Sequence, residues 1–144
     1  MTTRDIVCDA FSEVLNKMAF MFPEPVDTPL LPPVSQGWLL SSMRFGGALT
    51  GAISMGAAVE LCREIAANVL GVDADNEKAG QRATDAAAEL LNVTCGQILT
   101  AIAGTDASFD LHAPQAHTVT ADEIERIRAC GQCTMFAVEG SVVV

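Results

Sequence analysis

The stretch DAAAELLNVTCGQIL, Asp85 to Leu99, carries a polar pattern inside an apolar helical sequence, and the pattern occurs twice. The earlier copy is DAFSEVLN, Asp9 to Asn16, and both read D-A-x-x-E-x-L-N, 76 positions apart. On a helix with Asp85 at zero, Glu89 falls at about 40°, Asn92 at about −20° and Gly96 at about 20°. Two carboxylates, a carboxamide and a residue without a side chain therefore share one narrow stripe. The rest of the helix is mostly Ala, Leu, Val and Ile, so the stripe is expected to face solvent, with Gly96 leaving room for a close partner. A plain solvated face accounts for glutamates. It accounts less well for asparagine, a mediocre helix residue that sits mid-helix in both copies.

Outward from this stretch, the pattern predicts a long helix within residues 73–104, capped by Asp73 or Asp75 and ended by Gly104. Residues from about Ile6 to Phe22 read as another helix, with Ile6, Ala10, Val14 and Met18 recurring every four positions and Phe11, Leu15 and Phe22 widening the stripe. Five of the six prolines follow within PEPVDTPLLPP, Pro23 to Pro33, which must be irregular or edge-like. WLLSSMRF and GALTGAISM read as two strands with Gly46-Gly47 as a tight turn between them. AAVELCREIAANVLG reads as a helix with Ala58, Leu61, Cys62, Ile65 and Val69 on one face and Gly71 as its cap. ASFDLHAP resembles a strand stopped by Pro114, TADEIERIRA a short helical turn with Thr120 and Glu123 as a capping box, and CTMFAVEGSVVV a strand. Helices and antiparallel strands segregate in blocks, which predicts an α+β domain with long helices on one sheet face. The 144 residues suffice for one domain, 1–144, with pseudo-repeat halves of about 5–71 and 75–144.

Composition excludes some functions. A net charge of −10 with only eight scattered Lys and Arg argues against a nucleic-acid binder. The N-terminus does not read as a signal peptide, and no uncharged apolar run reaches about 18 residues, so a soluble cytoplasmic protein with no membrane insertion is expected. Five cysteines without a secretory signal suit reduced thiols. Cys8, Cys62 and Cys95 lie beside apolar residues and read as core. Cys130-Gly-Gln-Cys133 has redox spacing, but strand-like residues follow where a redox motif opens a helix. His112 and His117 are too loosely spaced to complete a zinc site with that pair. Trp38 and the phenylalanines read as core.

ELLNVTCGQIL, preceded by Asp85 and followed by Pro114, resembles the signature of the CheC/CheX family of chemotaxis phosphatases. That signature is Asp or Ser, three residues, Glu, two residues, Asn, and then a proline a little over twenty residues on. Here 21 residues separate Asn92 from Pro114, one fewer than is usual. GALTGAISMGAAVELCREIAANVLG is similar to the family's strand-then-helix segment, and the length suits the shorter, CheX-like members. The resemblance implies a duplicated fold of helix-plus-antiparallel-strands units. It also implies a phosphatase that hydrolyses the aspartyl phosphate of a CheY-type response-regulator receiver, in chemotaxis or related two-component signalling. Asn92 and Glu89 would be catalytic, with Asn92 orienting water and Glu89 pairing with the receiver's lysine. Asp85 and Gly96 would contact the partner. No cofactor or metal of its own is implied, since the Mg²⁺ sits in the receiver. A homodimer is expected through an exposed sheet edge. Glu13 and Asn16 would form a second site, although Phe20 stands where the later copy has Gly96 and no proline follows at the matching distance. The alternative is a non-catalytic module of the same fold that docks on a receiver or a flagellar-switch protein.

Overall fold

The computed structural model describes residues 2–27, 31, 34, 36–73, 75–104, 106–130, 133–138 and 141–144. Among the described residues four helices and seven strands follow one another in the order α1 (Thr3–Ala19), β1 (Glu24–Val26), β2 (Trp38–Gly47), β3 (Gly51–Ala58), α2 (Val59–Leu70), α3 (Glu77–Ala103), β4 (Phe109–Leu111), β5 (Gln115–Val119), α4 (Ala121–Cys130), β6 (Met135–Val138) and β7 (Ser141–Val143). The strands make one antiparallel sheet ordered β1-β6-β7-β3-β2-β4, with β5 also on β2.

α3 is the spine. Its 27 residues span about 40 Å. Buried positions Ala79, Ala83, Ala87, Leu90, Leu91, Thr94, Cys95, Ile98 and Leu99 repeat at helical spacing. The small residues of its first half allow close approach of α2, and the larger ones behind them reach α1 and the sheet. An 18-residue window of α3 has a mean hydropathy of 1.3, so by length and composition it could cross a membrane; here it is a core helix. Asn76 caps it, its side chain accepting from the Lys78 N–H at 2.9 Å, in place of the expected Asp73 or Asp75, which lie too early to reach the first turn. The Gly104 N–H closes the other end on the Thr100 carbonyl.

The main core joins α1, α2 and α3 to one sheet face through Phe11, Leu15, Leu39, Leu61, Leu90 and Phe136, all buried. Each large apolar side chain so buried contributes about 1.5–3 kcal/mol. Phe11 and Phe136 stack obliquely with ring centroids 4.6 Å apart. α4 covers the opposite face, where Ile124 joins Trp38, Leu40 and Val119 in a smaller cluster. The expected helices on one face are therefore α1 to α3, and α4 adds cover that a short turn could not.

Several local expectations are corrected. α1 ends at Ala19, because Phe20 turns left-handed (φ 58°) and donates its N–H to the Asn16 carbonyl; Phe22 lies beyond the helix and is exposed. Phe20 is exposed too, so these two phenylalanines are not core. On α2, Val69 faces solvent, while Ala66 and Ala67 are buried instead. Gly71 caps that helix as expected, at φ 72°. Gly46 and Gly47 are not the hairpin turn. β2 runs through them, the chain reverses at residues 48–50, and the two glycines pair with Asp110 and Phe109 of β4. β5 answers to no expected strand, and the C-terminal run divides into β6 and β7. The proline-rich segment does supply an edge strand, β1, containing Pro25; residues 28–30 and 32–33 of that segment lie outside the described residues.

Candidate functional site

The repeated stripe lies on the outward side of two helices that pack on the same sheet face. On α3, Asp85 and Glu89 are exposed, and Asn92 and Gly96 half-buried. A Cβ built on Gly96 would meet nothing within 4 Å, so the surface there is open to an approaching partner. On α1, Asp9 and Glu13 are exposed, Asn16 is half-buried, and Phe20 stands 71% exposed where α3 has Gly96.

The two copies differ in how their carboxylates are engaged. Lys17 Nζ lies 2.6 Å from Glu13 Oε1, an i,i+4 pair that occupies the glutamate of the first copy. The residue matching Lys17 in the second copy is Val93, which has no charge to offer. Among the described residues Glu89 has no ion pair or hydrogen bond, so its carboxylate is available to a cation from outside. Asp85 is held by Arg82, Nη1 to Oδ2 at 3.2 Å, across one turn. Both engaging cations, Lys17 and Arg82, went unread in the sequence, although i,i+4 and i,i+3 spacings are signals it carries.

The structure thus brings Asp85, Glu89, Asn92 and Gly96 onto one accessible stripe and keeps Glu13 and Asn16 on another helix. Pro114 follows β4 in the short break before β5, both strands pairing with β2. Among the described residues no cluster of three His, Cys, Asp or Glu could hold a metal ion. Cys133 lies between the end of α4 and β6, so the C-x-x-C follows a helix rather than opening one. Desolvation pushes the Cys133 thiol up, against the direction that redox chemistry needs, with Arg128 opposing more weakly. The Cys130 side chain and residues 131–132 lie outside the described residues.

A family model described as chemotaxis phosphatase CheX matches residues 39–138, well over half of the chain. The chain belongs to the CheX family. Solved structures share its fold at low identity. A CheX from Desulfovibrio desulfuricans superimposes with a TM-score of 0.70 at 19% identity, covering 99% of this chain and 95% of that one. A CheX–CheY–BeF3–Mg²⁺ complex from Borrelia burgdorferi gives 0.66 at 18% identity, covering 99% and 94%. FliY from Thermotoga maritima gives 0.63 at 13% identity, covering 98% and 83%. No curated protein matches the chain.

Proposed function

We propose that this CheX-family chain is a phosphatase for the aspartyl phosphate of a CheY-type receiver, working through the single site on α3. The observation that carries the reading is an unengaged Glu89 carboxylate beside Asn92 on an open helical stripe. In this reading Glu89 pairs with a lysine of the receiver and sets the docking register. Asn92 enters the receiver's site, where its carboxamide donates to one oxygen and accepts from the attacking water. Water adds in line to phosphorus, the P–O bond to the aspartate breaks, and the carboxylate departs. Charge is neutralised by the receiver's own Mg²⁺ and lysine, so this chain supplies position rather than a nucleophile or metal. The complex formed by the Borrelia CheX with CheY supports the choice of partner.

The α1 copy is silent in this reading. Its Glu13 is already paired with Lys17, and the exposed Phe20 fills the place that Gly96 leaves clear. The halves 5–71 and 75–144 are read as copies of one unit. What supports this is the sheet order, in which β3-β2-β4 runs outward from the centre as β7-β6-β1 does on the other side. A homodimer through a sheet edge belongs to the same proposal.

The test is the decay of a phosphorylated CheY-type receiver with catalytic amounts of the chain. Asn92→Ala should slow the catalysed decay at least about 100-fold, and Asn16→Ala should leave it unchanged. Asn92→Ala should fold at least as stably as the parent, since alanine is the better helix residue by up to about 0.7 kcal/mol. An equally active Asn92→Ala would refute the assigned role. Docking without faster decay in the parent would favour the non-catalytic module.

A further inference from the structure

α3 carries positive charge where a helix least favours it. Lys78 lies in its first turn and Arg82 in its second, toward the positive end of the helix dipole. The two stand four positions apart, so their like charges also face each other. The repeat does not demand them. Counting back 76 positions, Thr2 and Ile6 occupy the matching places, and Thr2 caps α1. Two cations set against their own helix, present in the copy with an open glutamate and absent from the other, point to a use outside the chain.

Both belong to the stripe that carries Glu89 and Asn92. With Asp85 at zero, Lys78 falls at about 20° and Arg82 at about 60°, on either side of Glu89 at about 40°. Arg82 is held by Asp85 at 3.2 Å, and the charges of that pair cancel. Lys78 is exposed, and among the described residues its ammonium has no ion pair and no hydrogen bond. Among those residues the stripe therefore presents two open charges of opposite sign, Lys78 and Glu89, about 16 Å apart along the helix axis. Asn92 lies beyond Glu89, on the side away from Lys78.

We propose that Lys78 engages an acidic side chain of the receiver, and that the opposite signs of Lys78 and Glu89 fix the direction in which the receiver lies along α3. This rests on the reading of α3 as the phosphatase site. Docked one way, the receiver's lysine meets Glu89 and its acid meets Lys78, with Asn92 at the phosphoryl group. Turned end for end, each charge meets its like and Asn92 no longer reaches the phosphorus. The acid stands outside the receiver's phosphorylation site, about 16 Å from its lysine. A receiver without that acid binds more weakly, which makes Lys78 a specificity-determining residue. In a chain of net charge −10 an acidic partner is otherwise repelled, so an open cation on the docking face also speeds encounter.

The test uses the full chain and a CheY-type receiver. It reads affinity for the receiver loaded with BeF3 and Mg²⁺, as in the Borrelia complex, and the catalysed decay of the phosphorylated receiver. Lys78→Glu should fold as the parent does, since an acid suits a helix N-terminus. It should weaken binding at least about fivefold and leave kcat at saturating receiver within about twofold of the parent. Arg126→Glu, the same change of net charge at an exposed position of α4, should alter neither. Exposed acids of the receiver about 16 Å from its lysine are then changed to Lys one at a time. One of these receivers should bind Lys78→Glu more tightly than it binds the parent. Unchanged affinity in Lys78→Glu, an equal loss in Arg126→Glu, a loss of kcat at unchanged affinity, or no receiver that reverses the preference would overturn the inference and leave the phosphatase reading in place. A parent that neither binds the receiver nor hastens its decay would sink that reading, and this inference with it.

Discussion

Replacing Gly47 with alanine should destabilise the fold strongly, and replacing Gly46 should not. Gly47 has φ +108°, outside the range alanine adopts, and a Cβ there would lie 2.6 Å from the Ser108 carbonyl oxygen. That oxygen belongs to the backbone leading into β4 and cannot swing aside. Either β4 detaches from β2, losing the Gly46–Asp110 and Gly47–Phe109 pairs, or the backbone at residue 47 rotates and loses them as well. Strained backbone costs about 1–3 kcal/mol, and lost pairing adds to it, for a total of about 2–4 kcal/mol. A Cβ on Gly46 meets nothing within 4 Å, and its φ is not positive, so Gly46→Ala should stay within about 0.5 kcal/mol of the parent. Urea denaturation reads the difference. With a slope of about 1.5–2 kcal/mol per molar, Gly47→Ala should move the midpoint down by more than about 1 M, with Gly46→Ala nearly unmoved. Equal losses at both positions would refute the reasoning, because they are what a two-glycine turn with positive φ at both central residues requires.

Two further outcomes follow from the thiols and from the first helix. Burial pushes the Cys62 thiol up to about 12 and raises Cys95, and desolvation raises Cys133 too, but Cys133 is exposed where the other two are buried; iodoacetamide at about pH 8 should label Cys133 before Cys62 and Cys95, which are spared until urea unfolds the chain, as peptide mass mapping would show. The Asp5 carboxyl is held below its usual 3.8 by hydrogen bonds from the backbone and hydroxyl of Thr2, its partner in a capping box. Its pKa is lower in the folded state, so its contribution is present above about 3.8 and is lost as pH falls through the folded value. Asp5→Asn should therefore lower the urea midpoint at about pH 6 and leave it equal to the parent at about pH 2, and a difference that persists in acid would contradict this.

The legible part of the site was the part set by local spacing. Asp85, Glu89, Asn92 and Gly96 share a stripe on any helix, and the buried positions around them made that stripe the outer one. The contrast between Glu13 and Glu89 was legible in principle, since Lys17 and Val93 stand at matching positions. It needed the structure to show that the lysine closes on the glutamate, because an exposed long side chain has several rotamers of similar energy. Phe22 looked like part of the apolar stripe on periodicity alone. The left-handed Phe20 ends the helix before it and leaves it exposed, and periodicity carries no information on where a helix stops.

The sequence by itself determined the three long helices, the Gly71 cap, the β2–β3 pair and the α+β class, because helical faces, caps and neighbouring strands rest on contacts between residues close in the chain. Only the tertiary structure decided that Gly46 and Gly47 serve β4 rather than a turn, that α4 covers the opposite face, and that β3 meets β7. Those facts rest on which strand edges come together across tens of residues. Backbone hydrogen bonds join strand edges with little regard to side chains, so side-chain patterns do not name the partner.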